Sequence, residues 1–429
     1  MRIEGGLQAA LVCFKLSRSG PTCQYETART YELNQGARTS MQEIKPLTSL
    51  RAFAAFLVFM FHYANVFSPA NRGVEGFAGE WIPLLPLWKQ GSVGVSIFFV
   101  LSGFLISRIY YDQVAGGTIS LRLYFVKRIA RIWPLFLVFG TIQHVWLALT
   151  DQFPGDGVWV TMTMTQGLFE QLRYTGLPTA WSLTVEETFY AVAPPLYLLI
   201  SRLAPIPAEG VRRRDGARLA FVLIGVVLGA ALCGELVVRG AAAANWSWQG
   251  FMGSRYHMWH STLFGRLPEF AIGMGAAFVH RAGVVPRLFA GRRAPGVIVA
   301  MFLGMGACMW GKTLLVDETG VAAQGGTYLL AYLLAGMSAV LILALSVRGN
   351  VIERLLSHGL LVYLGKISYG FYLIQITVMI APLVALTDHL GFARLPVLFV
   401  LTNLFCAASY ELVEKPTRRL IVARWGLRP

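Results

Sequence analysis

The chain has 429 residues, of which 55% are hydrophobic and only 14% are charged, and its formal net charge is +15. This composition is typical of a polytopic membrane protein. The basic residues are dispersed between apolar stretches, so cytoplasmic loops explain the charge more simply than nucleic-acid binding does. The cysteines show no paired or metal-ligating spacing, so we predict neither a disulfide framework nor a metal site. They are Cys13, Cys23, Cys233, Cys308 and Cys406.

The first forty residues differ from the rest of the chain because they mix polar, glycine and charged residues. Their apolar patch, residues 7–14, is too short to span a bilayer and is not flanked like a signal peptide. We therefore expect residues 1–40 to be disordered or to be an extension assigned in error, with Met41 as the biological start. A membrane domain then occupies residues 41–419, and residues 420–429 form a basic cytoplasmic tail.

Apolar runs long enough to cross a ~30 Å hydrocarbon layer as helices fill most of the remaining chain. They predict an all-α bundle of about ten spans, at 47–67, 91–111, 132–150, 182–201, 219–238, 262–280, 295–315, 326–347, 360–383 and 395–414. The connecting loops alternate between rich and poor in Lys and Arg, so both termini are expected in the cytoplasm. Residues 158–169 are too short and too rich in threonine for a span, and we interpret them as an outer re-entrant or interfacial piece.

Two ionisable residues interrupt the first predicted span. Arg51 lies one turn inside its start, and His62 follows eleven positions later. At ~100° per residue this offset exceeds three full turns by only about 20°, so both side chains lie on one helix face. Ionisable groups inside a membrane helix usually face the bundle interior and mark function. Arg51 could instead extend to the lipid headgroups, an alternative that is harder to sustain for His62.

The fourth predicted span begins outside the membrane with Ser182, Glu186 and Glu187 near its start. His62 lies in the outer half of the first predicted span. The side chains at the start of the fourth span should therefore reach a similar depth. A histidine with a carboxylate partner is suited to taking a proton from a hydroxyl group. Glu186 and Glu187 point about 100° apart, so only one of them is expected to face the same cavity. The alternative is that the carboxylate only caps the helix start.

The inner face carries a basic cluster just before the predicted third span. Arg128 and Arg131 are three residues apart and share a helix face, so they could present two guanidinium groups to phosphates. Ordinary basic residues of a cytoplasmic loop would give the same pattern. In the sixth span, Arg266 and Glu269 form another pair three residues apart, which is either an internal ion pair or part of an acceptor site.

The ninth predicted span contains Ser368, Tyr369, Tyr372 and Gln375. Small residues in this span, and in the second span around residues 91–103, allow helices to approach closely. Packing is their expected role.

Together these segments resemble the acyltransferase-3 family of integral membrane O-acyltransferases, which includes bacterial O-antigen and exopolysaccharide acetylases. The motifs run in order from LTSLRAFAAFLVFMFHY through GSVGVSIFFVLSGFLISR, KRIARIWPLF, AWSLTVEETFYAVAPPLY, RLPEFAIGMGAA and YLGKISYGFYLIQ to YELVEKPTRR. By this resemblance Arg51 and His62 match the family's first-helix Arg and His, Arg128 and Arg131 match its cytoplasmic basic motif, and Glu186 matches the acid of SLxxExxFY. Gln375 departs from the pattern, because the family often has His there.

The resemblance implies an enzyme of the bacterial cytoplasmic membrane that passes an acyl group, expected to be acetyl, from cytoplasmic acyl-CoA to a hydroxyl of a glycan or another acceptor. His62 would be the general base with Glu186, or would carry the acyl group covalently. No resident cofactor is expected, and the oligomeric state stays open. The expected substrate-binding residues are Arg51, Arg128, Arg131, Ser182, Tyr190, Arg266, Glu269, Ser368, Tyr369 and Gln375. On physical grounds alone, a proton-coupled transporter or a glycan flippase is the alternative.

Overall fold

A computed structural model describes residues 43–66, 85–152, 155, 157–206, 213–246, 248–289, 293–316 and 321–426. The expectation for residues 1–40, and the choice of Met41 as the start, lie outside these residues. From Lys45 onward these residues belong to one compact unit.

Among the described residues of this unit there are ten long helices, and each corresponds to one predicted span. We number them α1 Lys45–Val66, α2 Val93–Ala115, α3 Leu121–Leu149, α4 Trp181–Leu203, α5 Arg213–Ala243, α6 Leu263–Arg281, α7 Arg293–Val316, α8 Val321–Leu345, α9 Gly359–Leu373 and α10 Arg394–Ser409. Within the described residues there is no strand beyond one isolated bridge between Phe169 and Phe251. The predicted all-α class is confirmed.

Seven helices of the described chain are long and apolar enough to cross a membrane by themselves, namely α1, α2, α3, α5, α7, α8 and α10 with its continuation. The other three, α4, α6 and α9, fall short by that criterion. α4 and α6 carry glutamates and internal prolines, and α9 has only 15 residues. The count of ten spans and the cytoplasmic position of both termini stay predictions.

Helix α2 lies at the centre of the unit, where it packs against α1, α4, α6 and α8. Most of its residues are buried, whereas α5 is exposed along most of its length. The contact between α2 and α6 depends on Gly103, because a Cβ atom there would collide with the backbone carbonyl of Phe270. This close approach confirms the packing role predicted for the small residues of the second span.

Helix α3 begins earlier than predicted, at Leu121 rather than at residue 132. Ser120 caps its N-terminus by accepting a hydrogen bond from the backbone N–H of Leu123 at 3.3 Å. Pro134 lies inside the helix and does not open it. As a result Arg131 lies about 15 Å along α3 and is not at a cytoplasmic helix start.

Helix α9 ends at Leu373, whereas the predicted span ran to residue 383. Residues 374–380 form turns, and a short helix, Ala381–Leu386, follows. Buried groups compensate the interrupted backbone: Tyr63 Oη donates to the Gln375 carbonyl at 2.5 Å, and the Val378 N–H donates to Gln143 Oε1 at 2.9 Å. Irregular backbone at membrane depth requires such internal partners.

Two further segments refine the predicted boundaries. Residues 158–169 contain only the short helices Gly157–Met162 and Gln166–Leu168, so they contain no helix of spanning length. Beyond α10 the chain continues as a π-helical turn, Tyr410–Glu414, a helix, Lys415–Ile421, and a second π-helical turn, Val422–Gly426. The predicted basic tail is therefore helical as far as Gly426.

Candidate active site

Five helices, α1, α2, α3, α4 and α9, enclose a cavity of about 610 Å³, its open mouth included. Its lining combines two arginines, one carboxylate and several hydroxyl groups with aromatic and aliphatic side chains. The lining residues are Arg51, Val95, Phe98, Phe99, Ser102, Arg131, Ile132, Ser182, Leu183, Glu186, Tyr190, Ser368, Tyr369 and Tyr372. Seven of the predicted site residues therefore meet at one place.

Glu186 is held by two hydroxyl groups. Ser102 on α2 donates a hydrogen bond to Glu186 Oε1 at 2.6 Å, and Tyr190, one turn further along α4, donates a short hydrogen bond to the same oxygen. The backbone carbonyl of Tyr190 in turn accepts a hydrogen bond from Tyr124 Oη at 2.9 Å. Hydrogen bonds to a carboxylate are charge-assisted, so this network fixes Glu186 in the cavity wall.

The two arginines of α3 lie in different surroundings. Arg131 and Arg51 both line the cavity, where their positive charges repel each other. Arg128 packs against the rings of Tyr110 and Tyr190, with its guanidinium carbon 5.7 and 5.5 Å from their centroids. Only Arg131 of the two lines the cavity, because cation–π packing engages Arg128. The expectation that both arginines bind phosphate stays a prediction.

His62 makes a direct contact with Gln375 and not with Glu186. Among the described residues, the side-chain hydrogen bond of His62 joins Nδ1 to Gln375 Oε1 at 2.9 Å, and the bonds of Glu186 go to Ser102 and Tyr190. The predicted contact between His62 and Glu186 is therefore corrected. Gln375 lies just beyond the end of α9, a helix that packs along α1, and this position brings its amide beside His62.

The same contact determines which ring nitrogen of His62 carries the proton. Gln375 Nε2 donates to the backbone carbonyl of Ala55 at 3.2 Å, which orients the amide so that its oxygen faces the imidazole. Because an amide oxygen only accepts, His62 Nδ1 must be the donor. His62 Nε2 is then the basic nitrogen, and Gln375 does the orienting that a carboxylate does in other sites.

The Arg266–Glu269 pair forms an internal ion pair beside the cavity. Arg266 Nη1 lies 3.0 Å from Glu269 Oε1, and Ser96 on α2 donates to the same oxygen at 2.6 Å. Arg266 also lies over the ring of Trp181, 5.8 Å from its centroid. The first of the two interpretations left open by the sequence thus describes the observed contact, which ties α6 to α2.

The remaining predicted residues are mostly engaged within the bundle. Ser182 and Tyr372 share a hydrogen bond of 2.7 Å, Tyr369 Oη donates to the Ile132 carbonyl at 2.8 Å, and Ser368 donates to the Gly365 carbonyl of its own helix at 2.9 Å. His62, Gln375, Arg128, Arg266 and Glu269 do not line the cavity. Sequence reasoning missed Ser102, because its small-residue surroundings indicated packing alone.

The comparisons with known proteins agree with the resemblance in the sequence. The acyltransferase-3 family model, an acyltransferase domain, matches residues 45–411. A match over this much of the chain defines a membrane acyltransferase. The chain belongs to the acyltransferase-3 family, and the predicted enzyme class, O-acyltransferase, is confirmed.

Curated relatives carry matching names. The acyltransferase MdmB of Streptomyces mycarofaciens is 29% identical over 360 residues, which cover 81% of this chain and 82% of that protein. Two proteins named as putative are also similar: an O-acetyltransferase of Staphylococcus aureus strain MSSA476, 26% identical over 395 residues, and the peptidoglycan O-acetyltransferase YrhL of Bacillus subtilis, 27% identical over 400 residues. These matches cover 85% and 87% of this chain but only 59% and 55% of the relatives. No solved structure matches the chain significantly.

Proposed function

We propose that this chain transfers an acetyl group from acetyl-CoA, bound from the cytoplasmic side, to a hydroxyl group of a cell-envelope glycan. The observation that carries the proposal is the cavity in which Arg51, Arg131 and Glu186 meet inside a bundle of apolar helices. Buried charges in a membrane bundle are costly and mark a functional pathway. The relatives named as O-acetyltransferases, one of them of peptidoglycan, support the acyl group and the acceptor class.

The donor lies along the cavity in this proposal. Arg131 and Arg51 bind phosphate oxygens of CoA, because guanidinium groups form charge-assisted, bidentate hydrogen bonds with phosphate. Glu186, whose Oε1 is occupied by Ser102 and Tyr190, uses its other oxygen to accept an amide N–H of the pantetheine arm. Glu186 thus positions acetyl-CoA in this proposal and is not the direct partner of His62.

In this proposal the thioester lies beside Tyr372, a cavity residue three positions before Gln375, which is the hydrogen-bond partner of His62. His62 Nε2 takes the proton of the acceptor hydroxyl while its oxygen attacks the thioester carbonyl. The carbon–sulfur bond breaks, the ester forms, and His62 returns the proton to the departing thiolate of CoA. The family often has His at position 375, and here Gln375 fixes the tautomer of His62 without taking part in proton transfer.

The test is acceptor-dependent release of CoA. The full chain, purified in lipid nanodiscs, should release one CoA thiol for each acetyl group that appears on isolated cell-wall glycan. Labelling cells with radioactive acetate, with and without the gene, should identify the glycan fraction that gains label. A transporter or flippase would leave acetyl-CoA intact in both assays, and that result would overturn the proposed function.

A further inference from the structure

The segment after α10, from Tyr410 to Gly426, packs against α3, the helix that carries Arg128 and Arg131. The π-helical turn Tyr410–Glu414 interrupts the regular helix, and the helix Lys415–Ile421 follows, with proline in its first turn. π-Helical turns are rare and occur frequently at functional sites, because the extra residue rotates every later side chain about the helix axis. Glu414 and Arg418 are four residues apart across this boundary and lie on one face.

Glu414 is an unusual carboxylate because it is buried and one of its two oxygens lacks a hydrogen-bonding partner among the described residues. It is only 1% exposed, and its Oε2 has no hydrogen-bond partner among the described residues. Three cations act on it electrostatically, from three different elements: Arg131, Arg418 and Arg51. A buried charge normally requires a counter-ion. Glu414 provides one negative charge that attracts all three guanidinium groups.

Arg418 faces cations across the helix contact. Its charge acts unfavourably on those of Arg131 and Arg128, and favourably on Glu414. Two helices that carry arginines therefore pack side by side, although the like charges repel. An anion bound between them would relieve this repulsion, as expected of a preorganised phosphate site. Arg418 is exposed at the surface, whereas Arg131 is partly buried and lines the cavity.

We propose that Arg418 binds the 3′-phosphate of CoA and that Glu414 is a positioning residue that holds Arg418 and Arg131 towards this ligand. The inference rests on the proposed function, since it takes CoA as the donor. The order of groups in CoA supports it: the pantetheine arm enters the cavity, the pyrophosphate follows at Arg131 and Arg51, and the ribose 3′-phosphate is outermost. Arg418 fits the outermost phosphate because it is exposed, whereas Arg131 and Arg51 are partly buried.

The chain offers a matched control in Arg419. It is exposed like Arg418, carries the same charge and belongs to the same short helix. If the basic residues here only fix the topology of the membrane protein, Arg418 and Arg419 should behave alike. If Arg418 holds a phosphate, only Arg418 should affect CoA binding.

The experiment compares binding of CoA and of 3′-dephospho-CoA to the full chain in nanodiscs by titration calorimetry. Arg418→Gln should weaken CoA binding by about ten- to a hundredfold, the effect of a lost charge-assisted hydrogen bond, and leave 3′-dephospho-CoA binding unchanged. Arg419→Gln should change neither. Equal losses for both ligands, or no loss for CoA, would overturn the assignment. If the unmodified chain bound neither ligand, the proposed donor itself would be wrong, which is a different result.

Glu414 is tested by the same pair of ligands. Glu414→Gln should raise the KM for acetyl-CoA by about tenfold with little change in kcat, and it should reduce the preference for CoA over 3′-dephospho-CoA. Glu414→Asp, which keeps the charge, should restore part of that preference. A merely structural Glu414 would give less folded protein with an unaltered preference, and that outcome would remove the positioning role.

Discussion

The cavity and the His62–Gln375 contact differ in the kind of polar groups that they hold. The cavity holds charges, with Arg51 and Arg131 facing Glu186, and its polar groups belong to five helices. The contact holds one imidazole against one amide, at a break between helices. Binding a polyanion requires charge, whereas taking a proton requires one correctly oriented nitrogen. The two regions should therefore control different kinetic constants: donor affinity in the cavity and turnover at His62.

The largest effect is expected at His62. A positioned general base contributes about 10²–10⁴-fold in rate, so His62→Gln and His62→Ala should lower kcat by that factor. The glutamine variant keeps hydrogen-bonding groups but cannot take up the proton. The measurement is the initial rate of CoA release with saturating acceptor.

The control for this variant is His280 at the end of α6, whose ring packs edge-on against Phe104. His280→Gln should keep most of the activity, because packing does not require a basic nitrogen. If His62→Gln were as active as His280→Gln, His62 would be structural and the proposed chemistry would be lost.

A smaller effect, on donor affinity, is expected at Arg131. Arg131→Gln should raise the KM for acetyl-CoA by about ten- to a hundredfold, because it removes a charge-assisted hydrogen bond to phosphate. Arg128→Gln should mainly lower thermal stability, since its guanidinium packs on Tyr110 and Tyr190. Donor titrations and melting curves of both variants check this difference. An unchanged KM in Arg131→Gln would remove the phosphate site.

Gln375 should show an intermediate effect on turnover alone. Gln375→Leu removes the hydrogen bond to His62 Nδ1, which is worth about 0.5–1.5 kcal/mol, so kcat should fall by about two- to tenfold with the KM for donor unchanged. Gln375→His tests the residue that the family often has here, and it should retain activity. A larger effect of Gln375→Leu on KM than on kcat would contradict the orienting role.

The smallest effect is expected at Ser368. Its hydroxyl lines the cavity but donates to the Gly365 carbonyl in its own helix, so it contributes little to a ligand. Ser368→Ala should change kcat and the donor KM by less than about twofold, because the buried hydroxyl is already bonded to its own helix. A tenfold rise in KM would instead show that Ser368 binds substrate, as the resemblance implied.

The sequence predicted the helices well because apolar length is a strong signal. All ten predicted runs correspond to helices, and the face shared by Arg51 and His62 follows from helical periodicity alone. Boundaries failed where polar and apolar residues mix. The first turns of α3, which begins at Leu121, alternate basic and apolar residues. A search for apolar runs alone therefore places the start of this helix too late in the chain.

The partners of the site residues could not be predicted for a different reason. The break after Leu373 lies in an apolar stretch that looks helical throughout, so nothing in the pattern shows that Gln375 turns to His62. Depth alone placed Glu186 near His62, but Ser102 and Tyr190 hold it in the cavity. Contacts between helices depend on rotations that one sequence does not contain. The burial of Glu414 could not be predicted for the same reason.

Donor binding and proton transfer are proposed to reside in separate regions of the molecule. The decisive measurement is acetyl-CoA affinity together with CoA release, for His62→Gln and Arg131→Gln in the same nanodisc preparation. We expect His62→Gln to bind acetyl-CoA as tightly as the unmodified chain but to release CoA about 10²–10⁴-fold more slowly. Arg131→Gln should bind acetyl-CoA weakly but turn over once saturated. Loss of acetyl-CoA binding in His62→Gln, together with normal affinity in Arg131→Gln, would contradict this separation.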